Sequence, residues 1–235
     1  MVNTYIYTGK QNNNTPKPTI ATDKDFIIDE ATFLINTVRP LKLKKTKGPV
    51  CLYKHANLNL INYQIQAIKN ICKNPTIIYL VGLGAEKVIK NSNRSEFSVI
   101  ENKIYEITNS GEDFRLGINA TTTNKIVYLH GNLIPTEKSY KLLYRNGKQS
   151  SSLYYTNNNN DIGFLFNRYQ IVSEWVYGSI NKSVGMFYFN EKDTNHLKNI
   201  AANNIRKNQF DYELMKKCKI IGVNYQDSVL IHGGE

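Results

Sequence analysis

The run from residue 59 to residue 90 constrains the fold most strongly, because it combines an amphipathic helix, a buried strand, a glycine turn and a second helix. Apolar residues recur at helical spacing from Asn59 to Cys72. The next run, residues 76–81, is apolar on both faces, which is typical of a parallel strand covered by helices. Gly82-Leu83-Gly84 then turns into a helix from Ala85 to Lys90. This order predicts an α/β chain.

Other segments carry weaker secondary-structure signals. Strands are predicted at residues 26–35, 126–129, 184–189, 219–223 and 228–231. Helices are predicted around Trp175 with Ile171, Val172 and Val176, and at residues 196–205 and 211–218. Residues 145–160 are rich in Gly, Ser and Asn and are predicted to form a mobile loop.

The chain carries a strong excess of positive charge. Lys and Arg outnumber Asp and Glu by 30 to 19, which gives a formal net charge of +11 at pH 7. Such a charge favours polyanionic partners such as nucleic acid, acidic lipid or nucleotides. It is also what an AT-rich genome of viral or low-GC bacterial origin produces, since Asn, Ile, Lys and Tyr are all abundant. The basic loop 39–47 is predicted either to grip phosphates or to be a solvated loop.

Cysteine usage and hydropathy restrict the class of protein. Three cysteines, Cys51, Cys72 and Cys218, form no C-x-x-C pair, so neither a disulfide framework nor a zinc site is indicated. Residues 77–81, the longest apolar run, are too short to span a bilayer, and no secretion signal is found at the start. We expect a soluble, cytoplasmic protein with no membrane partner. The expected organisation is a polar extension over residues 1–25 and one domain over residues 26–235.

Several short motifs, in order, resemble those of the sugar-1-phosphate nucleotidyltransferases. Residues 37–41 (Thr-Val-Arg-Pro-Leu) resemble the family's T-R-L-R-P-L segment, and residues 60–65 (Leu-Ile-Asn-Tyr-Gln-Ile) its P-L-I-E-Y-x-I helix opening. Residues 78–88 resemble the second strand with its G-Y-x-A-E-K-I turn, and residues 129–132 the third core strand, which ends in G-D. Residues 188–193 resemble a later strand that leads into an acid-capped helix. The resemblance implies a three-layer α/β fold of the Rossmann-like, GT-A type, a mixed sheet flanked by helices.

Three positions depart from the family pattern. The family's glycine-rich loop lets backbone N–H groups approach nucleotide phosphates, whereas the corresponding stretch here, Thr32 to Asn36, contains no glycine. Gly48 stands where the resemblance implies the catalytic lysine of a P-K-P segment, with Lys47 one residue earlier. Asn132 stands where the family has a metal-binding aspartate, and Mg²⁺ prefers anionic oxygen ligands.

Five residues are the candidate site. The resemblance makes Arg39 and Lys47 the predicted catalytic side chains and Gly82, Gly131 and Asn132 the predicted cofactor-binding positions; no metal ligand is predicted. Residues 131 and 132 follow a core strand, at the end where open α/β sheets bind ligands. Gly82 also fits a simpler role in a tight strand-to-helix turn, because the third glycine of a G-x-G-x-x-G motif would fall at Lys87.

Three functions are compatible with these patterns. The first is a degenerate, catalytically impaired nucleotidyltransferase-like protein that binds a nucleotide or nucleotide-sugar, or serves as an assembly subunit with a protein partner or a second copy. The second is an active, divergent enzyme that makes a nucleotide-sugar from a nucleoside triphosphate and a sugar phosphate, with Lys47 as basic group and Mg²⁺ on a relocated acid such as Asp161, Glu191 or Asp227. The third is a basic nucleic-acid-binding or viral structural protein that uses the loop 39–47. The three departures favour the first.

Overall fold

The computed structural model describes residues 27–39, 48–55, 58–90, 96–157, 162–203, 209–224 and 230–231. The strands are β1 (Ile28–Asn36), β2 (Lys54–His55), β3 (Leu58–Asn59), β4 (Cys72–Val81), β5 (Ser98–Glu101), β6 (Ile126–His130), β7 (Leu133–Ile134), β8 (Ser151–Asn157), β9 (Ile162–Phe166), β10 (Val172–Tyr177), β11 (Asn181–Phe189), β12 (Ile220–Asn224) and β13 (Leu230–Ile231). The helices are α1 (Leu60–Ile71), α2 (Ala85–Lys90), α3 (Ser110–Asn119), α4 (Glu137–Gly147), α5 (Glu191–Asn203) and α6 (Asp211–Met215).

A seven-stranded mixed sheet forms the centre, in the order β12-β8-β11-β6-β1-β4-β5. Strands β6, β1, β4 and β5 are parallel, and β11 runs antiparallel to both of its neighbours. The chain moves from β1 outward to β4 and β5, then returns across the sheet to place β6 on the other side of β1. The strand order therefore reverses between β1 and β6, and such a reversal opens a crevice at the carboxyl ends of the strands, where ligands bind in open α/β sheets.

The segment from α1 to α2 forms as its pattern predicts. Ile61, Ile65 and Ile68 recur on one face of α1, and each is almost completely buried against the sheet. The next strand, β4, is buried from Ile77 to Val81 because helices cover both faces of the sheet. These bounds confirm the predicted helix, strand, turn and helix.

Helices cover the two faces of the sheet with separate apolar clusters. On one face, Phe33, Ile35 and Tyr79 pack with residues of α1, α2 and α4. On the other face, Leu34 and Tyr128 pack with residues of α3, α5 and α6. Two helical layers around a mixed sheet confirm the predicted three-layer, Rossmann-like α/β architecture.

The prediction of a mobile loop at residues 145–160 is wrong. The chain is helical to Gly147 and then enters β8, which lies in the sheet between β11 and β12. Polar residues are tolerated in this strand because their hydroxyls find partners: Ser151 Oγ donates to Asp193 Oδ2 at 2.5 Å, and Ser152 Oγ donates to Leu143 O at 2.7 Å. The Ser-rich composition thus reflects internal hydrogen bonding, and residues 158–160 lie outside the described ranges.

The helix predicted around Trp175 is also wrong. Residues 172–177 form β10, which pairs with β9 in an antiparallel hairpin. Trp175 lies opposite Phe164, with ring centroids 5.4 Å apart in an edge-to-face arrangement. Ile171, Val172, Trp175 and Val176 are spaced as on one face of a helix. The contact of Trp175 with Phe164 on the neighbouring strand nevertheless favours a strand at this segment.

Candidate functional site

Four of the five predicted site residues lie at one edge of the sheet. Arg39 follows β1, Gly82 follows β4, and Gly131 and Asn132 follow β6, so all of them lie beyond the carboxyl ends of neighbouring parallel strands. This edge includes the reversal point between β1 and β6. Lys47 lies outside the described residues.

Gly82 and Gly131 hold the segment after β1 from opposite sides. Gly131 N donates to Asn36 O at 2.8 Å, and Leu83 N donates to Val38 O at 3.0 Å. A Cβ at Gly82 would lie 2.7 Å from Val38 Cγ1, and one at Gly131 would collide with Thr37 Cγ2. Packing against residues 36–38 is therefore enough to require glycine at both positions.

The stretch aligned with the family's glycine loop is strand, not loop. Thr32 to Asn36 form the second half of β1 in register with both β4 and β6, so that alignment is corrected: the turn begins at Thr37. Thr37 is tied down because its N–H and its hydroxyl both donate to Leu80 O, each at 2.9 Å. The described part of this turn, residues 37–39, also lacks glycine.

Arg39 is held by the protein on its inner side. Its Nη1 donates to Tyr105 O, and its Nε lies 3.4 Å from Asp113 Oδ2. The Arg39 side chain keeps 33% of its surface exposed, whereas that of Asp113 is fully buried. The guanidinium thus has one face paired with a carboxylate and another open at the carboxyl edge.

Asp113 is a buried acid with an altered ionisation. Burial raises its pKa from 3.8 to about 6, and this effect outweighs the hydrogen bond from Asn102 and the charge of Arg39, which both lower it. Asn102 Nδ2 donates to Asp113 Oδ1 at 2.6 Å. Asp113 Oδ2 accepts no hydrogen bond from any residue that the structure describes.

A second polar group lies beside the first and was not anticipated from the sequence. Asn36 Nδ2 donates to Tyr128 Oη at 2.8 Å, and Tyr128 Oη donates to Asp211 Oδ2 at 3.0 Å. The same carboxylate oxygen lies 3.9 Å from His130 Nε2. Asp211 is 83 residues from Tyr128 along the chain, so no local spacing could have indicated that they meet.

Gln64 fixes the turn that carries Asn132. Its Nε2 donates to Gly131 O at 2.9 Å and to Leu133 O at 2.7 Å, so the two carbonyls that bracket Asn132 share one amide group. Tyr79 Oη donates to Gln64 Oε1 at 2.9 Å, and Gln64 itself is fully buried. Asn132 is half-buried on a turn that is held from beneath.

The residues just after Lys47 lie near the same edge. Pro49 Cδ would be 2.9 Å from a Cβ at Gly84, in the turn that follows β4. Tyr53 Oη donates to Gly48 O at 3.3 Å, and the Cβ position of Gly48 faces open space. The segment that resembles P-K-P therefore packs beside the turn between β4 and α2.

The described residues do not form a Mg²⁺ site. Asn132 offers a neutral amide, Asp113 is paired with Arg39, and Asp211 is paired with Tyr128 and His130. Across the described ranges, no group of three His, Cys, Asp or Glu side chains is arranged to hold a metal ion. Asp161 and Asp227 lie outside those ranges.

Glu191 does not replace the missing metal ligand. It follows β11, which runs against β6, and its Oε1 accepts from Asn124 Nδ2 at 3.3 Å just before β6 begins. Glu191 therefore lies at the edge of the sheet opposite Asn132.

The basic loop after Arg39 and the N-terminal extension lie outside the described residues. Residues 1–25 and 40–47 lie outside the described ranges, so a nucleic-acid role for the loop 39–47 stays a prediction. None of the helices in the part of the chain that the structure describes is both long and apolar enough to cross a membrane.

Solved structures that resemble this one include several nucleotidyltransferases. CTP:phosphocholine cytidylyltransferase from Streptococcus pneumoniae matches with a TM-score of 0.67 and 13% identity over 86% of this chain and 92% of that one. The inositol-1-phosphate CTP transferase from T. maritima matches with a TM-score of 0.64 and 15% identity over 85% and 86%. A UDP-glucose pyrophosphorylase complexed with UDP-glucose matches with a TM-score of 0.61 and 13% identity over 86% and 92%.

These matches establish the fold. No family model matches the sequence, and no curated protein matches it significantly. At 13–15% identity the shared feature is the course of the backbone, which extends over most of each chain. The fold implied by the sequence motifs is confirmed: this chain has the nucleotidyltransferase fold.

Proposed function

We propose that this protein binds a nucleotide or nucleotide-sugar at the carboxyl edge of β1, β4 and β6, and that it does not carry out metal-dependent nucleotidyl transfer. One observation carries the proposal: the turn after β6 presents Asn132, and the carboxylates Asp113 and Asp211, which lie beside Arg39 and His130 at this edge, both interact with protein partners. A neutral amide cannot neutralise the charge that develops during phosphoryl transfer as Mg²⁺ on a carboxylate does.

The rest of the edge supports a binding role. The strand order reverses there, and Arg39 and His130 expose cationic or hydrogen-bonding surface beside it. The similar structures support a nucleotide ligand, because one of them is a complex with UDP-glucose. A role as assembly subunit stays a prediction.

Calorimetric titration tests this proposal. The ligands are CTP, UTP, GTP, ATP and UDP-glucose, and each is titrated once in the presence of Mg²⁺ and once in the presence of EDTA. We expect at least one of these ligands to bind in EDTA, and no pyrophosphate to be released from any triphosphate supplied with a panel of sugar 1-phosphates. The Asn132→Asp variant should gain Mg²⁺-dependent affinity, because a carboxylate then faces the ligand. Absence of binding by every ligand in both buffers, or rapid pyrophosphate release by the wild type, would overturn the proposal.

The alternative is an active, divergent enzyme, and the position of Gly48 and Pro49 favours it. Pro49 packs beside Gly84 at the same edge and Gly48 O accepts from Tyr53 Oη, so the neighbouring Lys47 is a candidate for the basic group. Lys90 is an exposed lysine at the end of α2, so Lys90→Ala is a matched control. Loss of pyrophosphate release in Lys47→Ala but not in Lys90→Ala would favour this alternative over the binding role.

A further inference from the structure

His130 occupies the last position of β6, directly before Gly131 and Asn132. Its register partner across the parallel pair is Asn36, the last residue of β1, so His130 lies at the point where the strand order reverses. Its side chain keeps 48% of its surface exposed. An imidazole is therefore presented to solvent in the crevice where the proposed ligand would lie.

A largely buried carboxylate lies behind this imidazole. The side chain of Asp211 is only 16% exposed, and its Oδ1 accepts from Ser110 Oγ at 3.0 Å and from its neighbour Tyr212 N at 2.9 Å. Burial alone would raise the pKa of Asp211, but interactions with His130, Tyr128 and Ser110 outweigh it and the pKa is lowered. Asp211 is thus an anion at neutral pH.

The Asp211–His130 contact leaves the imidazole able to bind something else. Asp211 Oδ2 and His130 Nε2 are 3.9 Å apart, a distance that is too long for a hydrogen bond. The Nε2 atom therefore donates no hydrogen bond to Asp211.

Strand β11 is shaped to receive the ring. Gly185 has φ +86°, and a Cβ there would lie 2.6 Å from His130 Cγ and in collision with Nδ1. The pairing of β11 with β8 shifts register between Ser183 and Phe187, so this irregularity coincides with the ring. Bulges of this kind occur near functional sites, where they redirect a side chain.

Arg39 and Asp113 repeat the same arrangement on the other side of Asn36. In both pairs a partly exposed basic side chain, Arg39 or His130, lies beside a carboxylate with little or no exposure. The charged and titratable groups described around His130 are Asp211 on α6 and Tyr128 on β6, and the charge of Asp211 also acts on Asp113 on α3. An anion entering the crevice would meet the more exposed basic side chains, Arg39 and His130, before their carboxylate partners.

We propose that His130, held in place by Asp211, is an anion-binding side chain that contacts the phosphate groups of the bound nucleotide in the absence of Mg²⁺. The identity of the ligand as a nucleotide rests on the proposed function. Binding of a phosphate anion at His130 does not depend on it and can be tested separately. If the pair served only to hold α6 against the sheet, changing His130 would alter stability and leave phosphate affinity unchanged.

Titration with inorganic pyrophosphate in EDTA tests the inference without a nucleotide. The imidazole resonance that is lost in His130→Gln should shift with pyrophosphate in the wild type. The variant should bind pyrophosphate roughly tenfold more weakly, since it loses a charge-assisted contact. His196→Gln, which changes an exposed histidine on α5, should bind like the wild type.

A comparison of the variants decides the inference. Equal pyrophosphate affinities for the wild type and His130→Gln would overturn it. If nucleotides fail to bind but pyrophosphate still shifts the His130 resonance, the proposed function fails and the anion site stands.

Discussion

Asn36 and His130 are register partners at the last position of the parallel β1–β6 pair, and the Asn36 carboxamide donates to Tyr128, two residues before His130. The ends of the two strands are thus joined by side chains as well as by backbone. Tyr128 Oη also donates a hydrogen bond to Asp211 at the start of α6, so these side chains link the edge of the sheet to a helix that is distant in sequence.

Replacing Tyr128 with Phe should destabilise the protein. The change removes the hydroxyl between Asn36 and Asp211 and leaves a largely buried carboxylate oxygen without one donor, which we expect to cost about 1–3 kcal/mol in the free energy of unfolding. Urea denaturation measures this cost. Tyr140→Phe is the matched control, because the Tyr140 hydroxyl is buried without a hydrogen-bond partner among the described residues. That control should be neutral or stabilising, and an equal loss in both variants would contradict the prediction.

Gln64→Ala should loosen the turn that carries Asn132. It leaves the carbonyls of Gly131 and Leu133 and the hydroxyl of Tyr79 without the amide that pairs with them, so we expect a loss of about 3 kcal/mol. Gln66→Ala changes an exposed residue on the same helix and should stay within about 0.5 kcal/mol of the wild type. Hydrogen exchange at residues 131–133 should speed up in Gln64→Ala only; unchanged exchange there would show that Gln64 does not fix the turn.

Asp113 should make stability fall as pH rises. The pKa of its carboxyl is 3.8 in the unfolded chain and about 6 in the folded protein. Between these values the folded state binds more protons, so the free energy of unfolding decreases with pH through this window and levels off above it. The contribution amounts to about 3 kcal/mol.

Urea denaturation at pH values from 4 to 7 measures this effect against a variant. Asp113→Asn cannot ionise and should lose most of the decline, whereas Glu112→Gln, which changes the adjacent acid paired with Arg115, should keep it. A decline of the same size in Asp113→Asn would mean that other groups produce it.

Gly185→Ala should cost more than Gly178→Ala. Both glycines have positive φ, 86° and 74°, so each substitution should lower the free energy of unfolding by about 1–2 kcal/mol because alanine disfavours a left-handed backbone. Only the methyl group at position 185 meets a neighbour, the His130 ring, whereas nothing lies within 4 Å at position 178. The excess cost, about 1–3 kcal/mol, should disappear in a His130→Ala background, as thermal unfolding of the double variants will show. An excess that survives there would place the clash elsewhere.

The sequence predicts the fold well where local pattern and burial agree. The repeat of Ile61, Ile65 and Ile68 defines α1, and the continuous apolar runs define β4 and β6, because helical and strand periods leave direct traces in the order of residues. Residues 151–157 were misassigned because the hydroxyls of Ser151 and Ser152 are satisfied by distant groups that the local sequence does not contain.

The site was predicted only in part, for a related reason. Arg39, Gly131 and Asn132 could be located from strand ends and motif order, which fix positions along the chain. Asp113 and Asp211 are brought to the same edge by α3 and α6, and Asp113 is 74 residues from Arg39. Only the tertiary fold brings such groups together, so their altered pKa values leave no mark on any local segment.

The direction of β11 has a practical consequence for immobilising or labelling the protein. Since this strand runs against β6, the chain reaches Glu191 and Lys192 at the far rim, and both side chains are exposed there. A dye or a resin attached through Lys192 would project away from the crevice and leave it open to ligand. Surface-immobilised binding assays can therefore be built on that position without obstructing the groups under test.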